Sequence, residues 1–276
     1  ILTANLFYYN DVFNLYLLKK NKEGSKFYTF QHGGYYGIGK LSFTEIHQTT
    51  ISDKFFTWGW TKCANSNNYY PSGIFTKTSW KNYSFYSKKI LLVTLDNHRY
   101  STHLYFGHTS SSWIDYFNDQ LTFVKNVAKI NRSNIIIKLP NYDYGWNQKQ
   151  RWSNFDSSLH IASGNIDKLI PQTKIIICTY NSTTFLESIN KNIPVIIFWD
   201  PKYWEISNEA QCIFNQLKEA GIFHETPESA ALHLNCVYEN VKLWWCSIKV
   251  QNAVNLLKDN FASNKIDYFK ALKEDL

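Results

Sequence analysis

The feature that most constrains the fold is an apolar strand pattern that runs directly into hydroxyl-bearing residues at the start of a helix. Residues 175–178 are Ile-Ile-Ile-Cys, and Thr-Tyr-Asn-Ser-Thr-Thr follows at 179–184, before a helical pattern and a second apolar run at 194–199. Strands made of continuous apolar runs and separated by helices predict a parallel sheet that is covered on both faces. In such a sheet, ligands bind beyond the carboxyl ends of the strands.

The same alternation of strands and helices extends over most of the chain. Apolar runs predict strands at 89–95, 134–139, 174–178 and 195–198, and helical spacing predicts helices at 113–128, 183–190, 208–220 and 243–262, with another that opens at Thr226. Residues 61–86 contain Asn, Ser, Gly and Pro and predict a loop or a connection between domains. We therefore predict an α/β fold, with a doubly wound, Rossmann-like domain at 86–276. Residues 1–80 are predicted to be the C-terminal part of a preceding α/β domain.

Composition and charge restrict the class of partner. With 44% hydrophobic and 18% charged residues, the chain is typical of a globular protein and not of a disordered one. Its formal charge of +7 favours anionic partners. Arginine occurs only at positions 99, 132 and 151, and no dense basic block is present, which disfavours nucleic acid as a partner. A nucleotide diphosphate or an anionic membrane surface fits this charge as well.

The cysteines indicate a reducing compartment. The five cysteines, at 63, 178, 212, 236 and 246, form no CxxC pair, and a reduced cytoplasmic protein is expected. No apolar run approaches the roughly 20 residues that span a bilayer. The chain contains no Met, and we expect the native protein to extend upstream of Ile1. The predicted location is the cytoplasm, with peripheral contact at the inner face of the membrane.

The hydroxyl-rich helix start is a candidate phosphate site. Free backbone N–H groups and the helix dipole converge there, so Asn181, Ser182, Thr183 and Thr184 are predicted to bind the phosphate of a donor. Glu187, about one turn into the helix, is predicted to accept hydrogen bonds from ribose hydroxyls. Helix capping is the alternative, because Thr184-x-x-Glu187 also matches the capping-box pattern.

A second candidate site is the glycine-rich run at 31–39, Gln-His-Gly-Gly-Tyr-Tyr-Gly-Ile-Gly, which follows a short strand pattern. Gly33 and Gly34 allow the backbone to approach a ligand closely. His32 is a candidate general base for a hydroxyl group, since imidazole titrates near neutral pH. A tight turn with an exposed histidine is the alternative. Glu45 is a second catalytic candidate, with a surface or capping role as its alternative. The run matches neither a P-loop nor a dinucleotide fingerprint, which argues against ATP hydrolysis and NAD chemistry.

Two further strand ends carry candidate binding residues. Lys138 ends a strand pattern and is predicted to reach a phosphate. Tyr144 and Trp146 in the following loop, and Trp199 after a later strand, are predicted to stack on a base or a sugar. A plain loop with a core tryptophan is the alternative. The histidines show no HxxxH or HExxH spacing, so we predict no metal site, and no cofactor beyond a nucleotide-activated donor that acts as substrate.

Taken together, the motifs QHGGYYGIG, ISDKFFTWGW, NSTTFLES, NIPVIIFWDP and LKEAGIFHETPESAA, with the tail WW and then VQNA, resemble a family of bacterial surface-carbohydrate transferases. These are similar to glycosyltransferases with two Rossmann domains (the GT-B fold), and distantly to teichoic-acid glycerophosphotransferases and Kdo- and sialyl-type transferases. The resemblance implies that His32 is the catalytic base and that residues 181–184 bind the donor phosphate. It also implies that most of the first Rossmann domain is absent. Leu139-Pro140 stands where related chains often carry His-Pro.

These observations predict a transferase that moves a glycosyl or polyol-phosphate group from a nucleotide-activated donor to a cell-surface polysaccharide. Its partners are a nucleotide-sugar or nucleotide-polyol donor, a glycan or lipid-linked glycan acceptor, and an anionic membrane surface, but no nucleic acid. A nucleotide-sugar epimerase on the same scaffold is one alternative. A non-catalytic module that binds a nucleotide or glycan is another, and a nucleic-acid-binding protein is a third.

Overall fold

The computed structural model describes residues 1–62, 68–74, 80, 83–101, 107–264 and 273. Within these ranges the chain forms two parallel sheets. The first sheet contains four strands in the order β1-β2-β3-β4, which is also their order along the chain. Its elements are β1 (Leu2–Thr3), α1 (Asp11–Lys22), β2 (Tyr28–Phe30), α2 (Phe43–Ile51), β3 (Lys54–Thr57) and β4 (Tyr69–Pro71).

The second sheet contains six parallel strands in the order β10-β9-β8-β5-β6-β7. Its strands are β5 (Lys89–Val93), β6 (Ile135–Lys138), β7 (His160–Ala162), β8 (Thr173–Cys178), β9 (Val195–Phe198) and β10 (Phe223–His224). The helices between and after them are α3 (Trp113–Asn126), α4 (Lys129–Arg132), α5 (Gln148–Phe155), α6 (Thr183–Asn190), α7 (Asn208–Glu219), α8 (Pro227–Val237), α9 (Val241–Trp245) and α10 (Ile248–Phe261). This is the strand order of a doubly wound Rossmann domain, and the order reverses between β5 and β8. The predicted α/β fold class is confirmed.

Alternate residues of the central strands face two separate hydrophobic cores. Leu91 of β5 and Ile176 of β8 belong to one core, which includes Phe185 of α6. Their neighbours along the strands belong to the other core, which includes residues of α3 and α8. Because successive side chains of a strand point to opposite faces, both faces of this sheet are buried. This is why its strands read as continuous apolar runs rather than as alternating patterns.

Among the described residues, hydrogen bonds join the two sheets near the end of α10 and in the loop after β9. Near the end of α10, the Ser263 N–H donates to the Trp58 carbonyl at 2.9 Å, and the Ser263 carbonyl accepts from the Ile74 N–H at 2.8 Å. At the second place, Ser207 donates its N–H to the Ile38 carbonyl and its hydroxyl to the Gly37 carbonyl, both at 2.8 Å. The glycine-rich run of the first sheet is therefore bound to the loop that follows β9.

Two local predictions differ from the structure, and several elements were not predicted. The segment 61–86, predicted as a loop, contains strand β4 where it is described, and its residues 63–67, 75–79, 81 and 82 lie outside the described part. The single helix predicted at 243–262 is two helices, because the Ser247 hydroxyl accepts from the Val250 N–H and caps the start of α10. The sequence patterns did not predict the following elements: β1, α1, α2, α4, α5, β7 and β10. The division into domains at residues 80 and 86 remains a prediction.

Over the described ranges, none of the helices combines the length and the apolar character needed to cross a bilayer. Four of the cysteines fall within these ranges, and they are free thiols: Cys178 is buried, whereas Cys212, Cys236 and Cys246 are exposed. The fifth, Cys63, lies outside the described residues.

Candidate functional site

A cleft of about 680 Å³ opens at the carboxyl ends of the second sheet, where the strand order reverses. Its walls come from the ends of β5, β6, β7 and β8 and from the start of α6. Among the lining residues are Thr94, Leu95, Asp96, Lys138, Pro140, Asn141, Tyr144, Gly164, Asn165, Tyr180 and Thr184. A reversal of strand order separates the loops on either side of it and leaves a crevice where ligands of such folds bind.

The glycine-rich run of the first sheet contacts the start of α6 directly. The Gly34 N–H donates to Oγ1 of Thr183 at 3.2 Å. A Cβ atom placed on Gly34 would lie 2.3 Å from the Ser182 carbonyl oxygen and 2.7 Å from the Thr183 nitrogen. Only glycine permits this approach, since backbone atoms cannot move aside as the end of a side chain can. The two motifs singled out in the sequence are therefore brought together.

No side chain of the N-cap residue closes the first turn of α6. The N-cap of the helix is Ser182, whose side chain makes no capping hydrogen bond, and Thr184 lies inside the helix. The alternative of a capping box that starts at Thr184 is therefore wrong. Asn181 is 3% exposed, and its Oδ1 atom has no hydrogen-bond partner in the part of the chain that the structure describes. The N–H groups of the first helical turn have no intrahelical acceptor and can bind a phosphate oxygen.

Glu187 lies one turn further along α6 and is half-buried. Burial raises the pKa of its carboxyl to about 7, and the nearby Asp167 carboxylate acts in the same direction while Lys191 opposes it. Near neutral pH the group is therefore divided between its neutral and charged forms. A carboxyl in this state can accept or donate a hydrogen bond to a hydroxyl group.

Two oppositely charged residues line the cleft. Lys138 is 8% exposed, burial lowers its pKa, and its ammonium group donates to the Leu139 carbonyl. Asp96 was not predicted as a site residue, although a carboxylate just beyond a buried strand is a signal that could have identified it. One of its oxygens accepts from the Tyr144 N–H at 3.1 Å, and the other has no partner among the described residues. Burial raises the pKa of Asp96.

The three predicted stacking residues lie in different environments. Tyr144 lines the cleft and packs against the His98 ring at 4.1 Å between ring centres. Trp146 is stacked in the core on Trp113, at 4.2 Å between ring centres and 10° between ring planes, and is 5% exposed. Trp199 is 2% exposed and packs among phenylalanines of the core. Of the three, only Tyr144 offers a ring to a ligand in the cleft.

His32 follows β2 by two residues and is held beside two tyrosines. The Tyr36 hydroxyl lies 3.1 Å from its Nδ1, and the Tyr8 ring is inclined at 65° to the imidazole, at 5.7 Å between ring centres. The crowding of atoms on this side lowers the pKa of His32, and a hydrogen bond with the Ala4 carbonyl partly offsets this effect. The residue as a whole is exposed to solvent. Because its pKa is lowered, the imidazole is largely neutral near pH 7.

The Glu45 carboxylate stabilises the glycine-rich run through a hydrogen bond with its backbone. It is 1% exposed, accepts from the Gly37 N–H at 2.9 Å and forms an ion pair with Lys62. These contacts give the carboxylate a structural function, and its catalytic role remains a prediction. Elsewhere in the described ranges, no group of three or more His, Cys, Asp and Glu side chains has the arrangement of a metal site.

Comparisons with known proteins found one family model and several solved structures. A family model described as "LIC12162 family transferase" matches residues 1–276. TarM of S. aureus, solved with UDP and α-GlcNAc-glycerol, superimposes with a TM-score of 0.52 at 11% identity over 92% of this chain and 50% of its own. WaaG, a glycosyltransferase of lipopolysaccharide biosynthesis, gives 0.47 at 11% identity over 99% of this chain and 68% of its own. MurG of Acinetobacter baumannii gives 0.46 at 13% identity over 94% and 70%.

The likeness to TarM identifies the fold as GT-B, in agreement with the predicted architecture. The chain spans half the length of TarM. A search of curated protein sequences found no match.

Proposed function

Because the chain belongs to the LIC12162 transferase family, we propose that it moves a glycosyl or polyol-phosphate group from a nucleotide-activated donor to a surface-polysaccharide acceptor. The observation that carries this proposal is the contact between Gly34 and Thr183. This contact brings the loop of the first sheet that carries His32 next to the start of α6 in the second sheet, where the donor phosphate is proposed to bind. A transferase of two substrates needs such a junction, since donor and acceptor must meet in a fixed geometry.

In this proposal the nucleotide lies in the cleft at the end of the second sheet. Its phosphate groups face the free N–H groups at the start of α6, and Lys138 contributes a positive charge from β6. Tyr144 packs against the base or ribose. Asp96 and Glu187 are the candidate acceptors for hydroxyl groups. These residues belong to 86–276, which we assign as the donor-binding domain, and residues 1–80 supply the acceptor side.

The proposed reaction needs one base and one stabilised leaving group. His32 removes the proton from an acceptor hydroxyl as its oxygen forms the new bond. For glycosyl transfer, the bond from the anomeric carbon to the donor phosphate breaks, and the nucleotide leaves with the negative charge. Backbone N–H groups and the helix dipole stabilise that charge, so the proposal requires neither a metal ion nor a cofactor.

Product analysis tests this proposal and separates it from its alternatives. The chain is incubated with UDP-, GDP-, CDP- and CMP-linked donors, with and without a glycan acceptor. We expect a transfer product only when both substrates are present. We expect His32→Gln to reduce its rate by about 100-fold or more. His160→Gln, an exposed histidine of β7, is the matched control and should retain the rate.

Other outcomes would contradict the proposal. Conversion of the sugar with donor alone would indicate an epimerase. Donor binding without turnover, unaffected by His32→Gln, would indicate a binding module. Binding of nucleic acid with strong salt dependence and no affinity for donors would indicate a nucleic-acid-binding protein.

A further inference from the structure

The outer sides of α1 and α2 expose large apolar side chains. The inner sides of the two helices pack on the first sheet, because Leu17 of α1 and Ile51 of α2 contact one hydrophobic cluster that contains Phe27. On the opposite side of α1, Val12 is 78% exposed and Leu15 is 67% exposed. Six exposed residues form what we call the outer apolar surface: Tyr9, Val12, Leu15, Leu18, Phe43 and Ile46.

Helical spacing separates the exposed and the buried residues of α1. At about 100° of rotation per residue, Val12 and Leu15 lie on one side of the helix and Leu17 lies on the other. The helix is therefore apolar on both sides, whereas a helix at the surface of a globular protein normally has one apolar side. Phe43 and Ile46 of α2 are three positions apart and likewise share a side. A contiguous exposed apolar surface of this kind marks a site of interaction.

Two lysines continue the outer apolar surface along α1. Lys19 and Lys22 follow Leu15 by four and seven positions, so they lie on the same side of the helix, and both are exposed. Among the described residues neither of them forms an ion pair, whereas the neighbouring Lys20 is paired with Glu23 at 2.6 Å. The end of this surface therefore carries two positive charges that a partner can approach.

Exposed carboxylates are scarce in α1 and α2, both of which the structure describes in full. The acidic residue of α2 is Glu45, and it is buried. The acidic residue of α1 is Asp11, at the opposite end of the helix from the two lysines. Exposed apolar side chains next to lysines fit the boundary between the acyl chains and the headgroups of an anionic bilayer. There, the long lysine side chains can reach lipid phosphates while their stems stay beside apolar groups.

The outer apolar surface adjoins His32. The centre of the Tyr8 ring lies 6.1 Å from that of the Tyr9 ring and 5.7 Å from that of the His32 ring. The Tyr8 hydroxyl donates to the Thr44 carbonyl, in the first turn of α2, at 3.2 Å. A membrane in contact with this surface is therefore close to the residue that carries the candidate base.

We propose that the outer apolar surface binds an anionic phospholipid membrane, with its apolar side chains at the acyl boundary and Lys19 and Lys22 at the lipid phosphates. This docking does not depend on the reaction that the chain carries out. Its consequence for the acceptor rests on the proposed function: with His32 held at the membrane, the acceptor is a lipid-linked glycan and not a free one.

Co-sedimentation with vesicles tests the docking surface. We expect the chain to bind vesicles of equimolar phosphatidylcholine and phosphatidylglycerol, and to bind phosphatidylcholine vesicles much less. Leu15→Gln combined with Leu18→Gln should lower the partition coefficient by about 10-fold or more, because two apolar side chains no longer leave water. Lys19→Gln combined with Lys22→Gln should lower it by about 25-fold on the anionic vesicles, since each lysine contributes about 5-fold.

Matched double variants of the second sheet serve as controls. Leu232→Gln with Leu243→Gln replaces two exposed leucines, and Lys149→Gln with Lys249→Gln replaces two exposed lysines. Both should bind vesicles like the wild type, and circular dichroism checks that every variant is folded.

Four results would overturn the docking surface. These are no binding to anionic vesicles, equal binding to both kinds of vesicle, equal losses in the control variants, and a dimer in light scattering that Leu15→Gln with Leu18→Gln dissociates. The last result would assign the surface to a second copy of the chain.

Turnover on two acceptors separates the docking surface from the proposed function. One acceptor is a lipid-linked glycan in the anionic vesicles, and the other is the same glycan free in water. The ratio of the first rate to the second should fall in Leu15→Gln with Leu18→Gln, whereas His32→Gln should lower both rates alike. An unchanged ratio would overturn the lipid-linked acceptor. Vesicle binding without transfer to either acceptor would reject the proposed function and leave the docking surface standing.

Discussion

The backbone N–H of Gly34 donates to the hydroxyl of Thr183, 149 positions later in the chain. Gly34 belongs to the loop after β2 of the first sheet, and Thr183 is the first residue of α6 in the second. The contact joins a histidine-bearing loop to a helix start that has free N–H groups. The glycine-rich run and the start of α6 are therefore in direct contact.

Gly34→Ala should disturb this junction. The added Cβ would lie 2.3 Å from the Ser182 carbonyl oxygen, so the loop or the helix start must move. We expect a loss of about 1–3 kcal/mol in the free energy of unfolding, typical of an overpacked site. Urea denaturation measures it. Gly33→Ala is the control, since its Cβ would meet only side-chain atoms, the nearest of them on Tyr35 at 3.0 Å. Equal effects of the two substitutions would contradict this account.

Glu187 should make stability depend on pH. Its pKa is about 7 in the folded chain, against an ordinary value of about 4.3. The folded state therefore holds a proton that the unfolded state releases, and this group lowers stability as pH rises from about 4.3 to about 7. We expect Glu187→Gln to be more stable than the wild type at pH 8, with the difference nearly absent at pH 4.

Thermal melts of both proteins across this pH range test the prediction. Glu239→Gln, at an exposed position beyond α8, is the control and should show no such trend. A difference between Glu187→Gln and the wild type that does not change with pH would contradict the assigned pKa.

Substitutions of Tyr144 and Trp146 should affect different quantities: nucleotide binding for Tyr144 and stability for Trp146. Tyr144→Ala removes a ring that lines the cleft, and it should weaken nucleotide binding with little change in stability. Trp146→Ala empties a core position, which costs about 3–5 kcal/mol of the free energy of unfolding. Trp146→Phe keeps much of that packing and should bind nucleotide like the wild type. Calorimetric titration, paired with denaturation curves, measures both quantities. Weaker nucleotide binding by a well-folded Trp146→Phe variant would indicate that the Trp146 ring contributes to the nucleotide site after all.

Lys138→Met should weaken binding of a nucleoside diphosphate by about 10-fold or more, because a hydrogen bond to a charged group contributes about 1.5–3 kcal/mol. The methionine side chain preserves most of the buried volume, so the fold should persist. Lys149→Met on the exposed face of α5 is the control for a change in net charge. Equal losses in the two variants would indicate a general electrostatic effect and no specific contact in the cleft.

Part of the fold and of this site can be predicted from the sequence. The other part cannot be predicted, for physical reasons. The runs at β5, β6, β8 and β9 are buried on both faces, so they are continuously apolar and easy to recognise. The junction of Gly34 with Thr183 could not be predicted, because no local pattern reports a contact between distant segments. The position of a tryptophan after a strand does not tell whether its ring points to the core, and this is why Trp146 and Trp199 were predicted as stacking residues. Asp96 carried a usable signal at a strand end.

The most direct test of the central claim is a thermal-shift screen of the chain with UDP-, GDP-, CDP- and CMP-linked donors. Asn181→Ala and Ser182→Ala alter the helix start, and Asn118→Ala at an exposed position of α3 is the control. We expect one donor class to raise the melting temperature of the wild type and of Asn118→Ala, but not of the two helix-start variants. No shift with any donor, or an equal shift in all four proteins, would contradict a donor site at the start of α6.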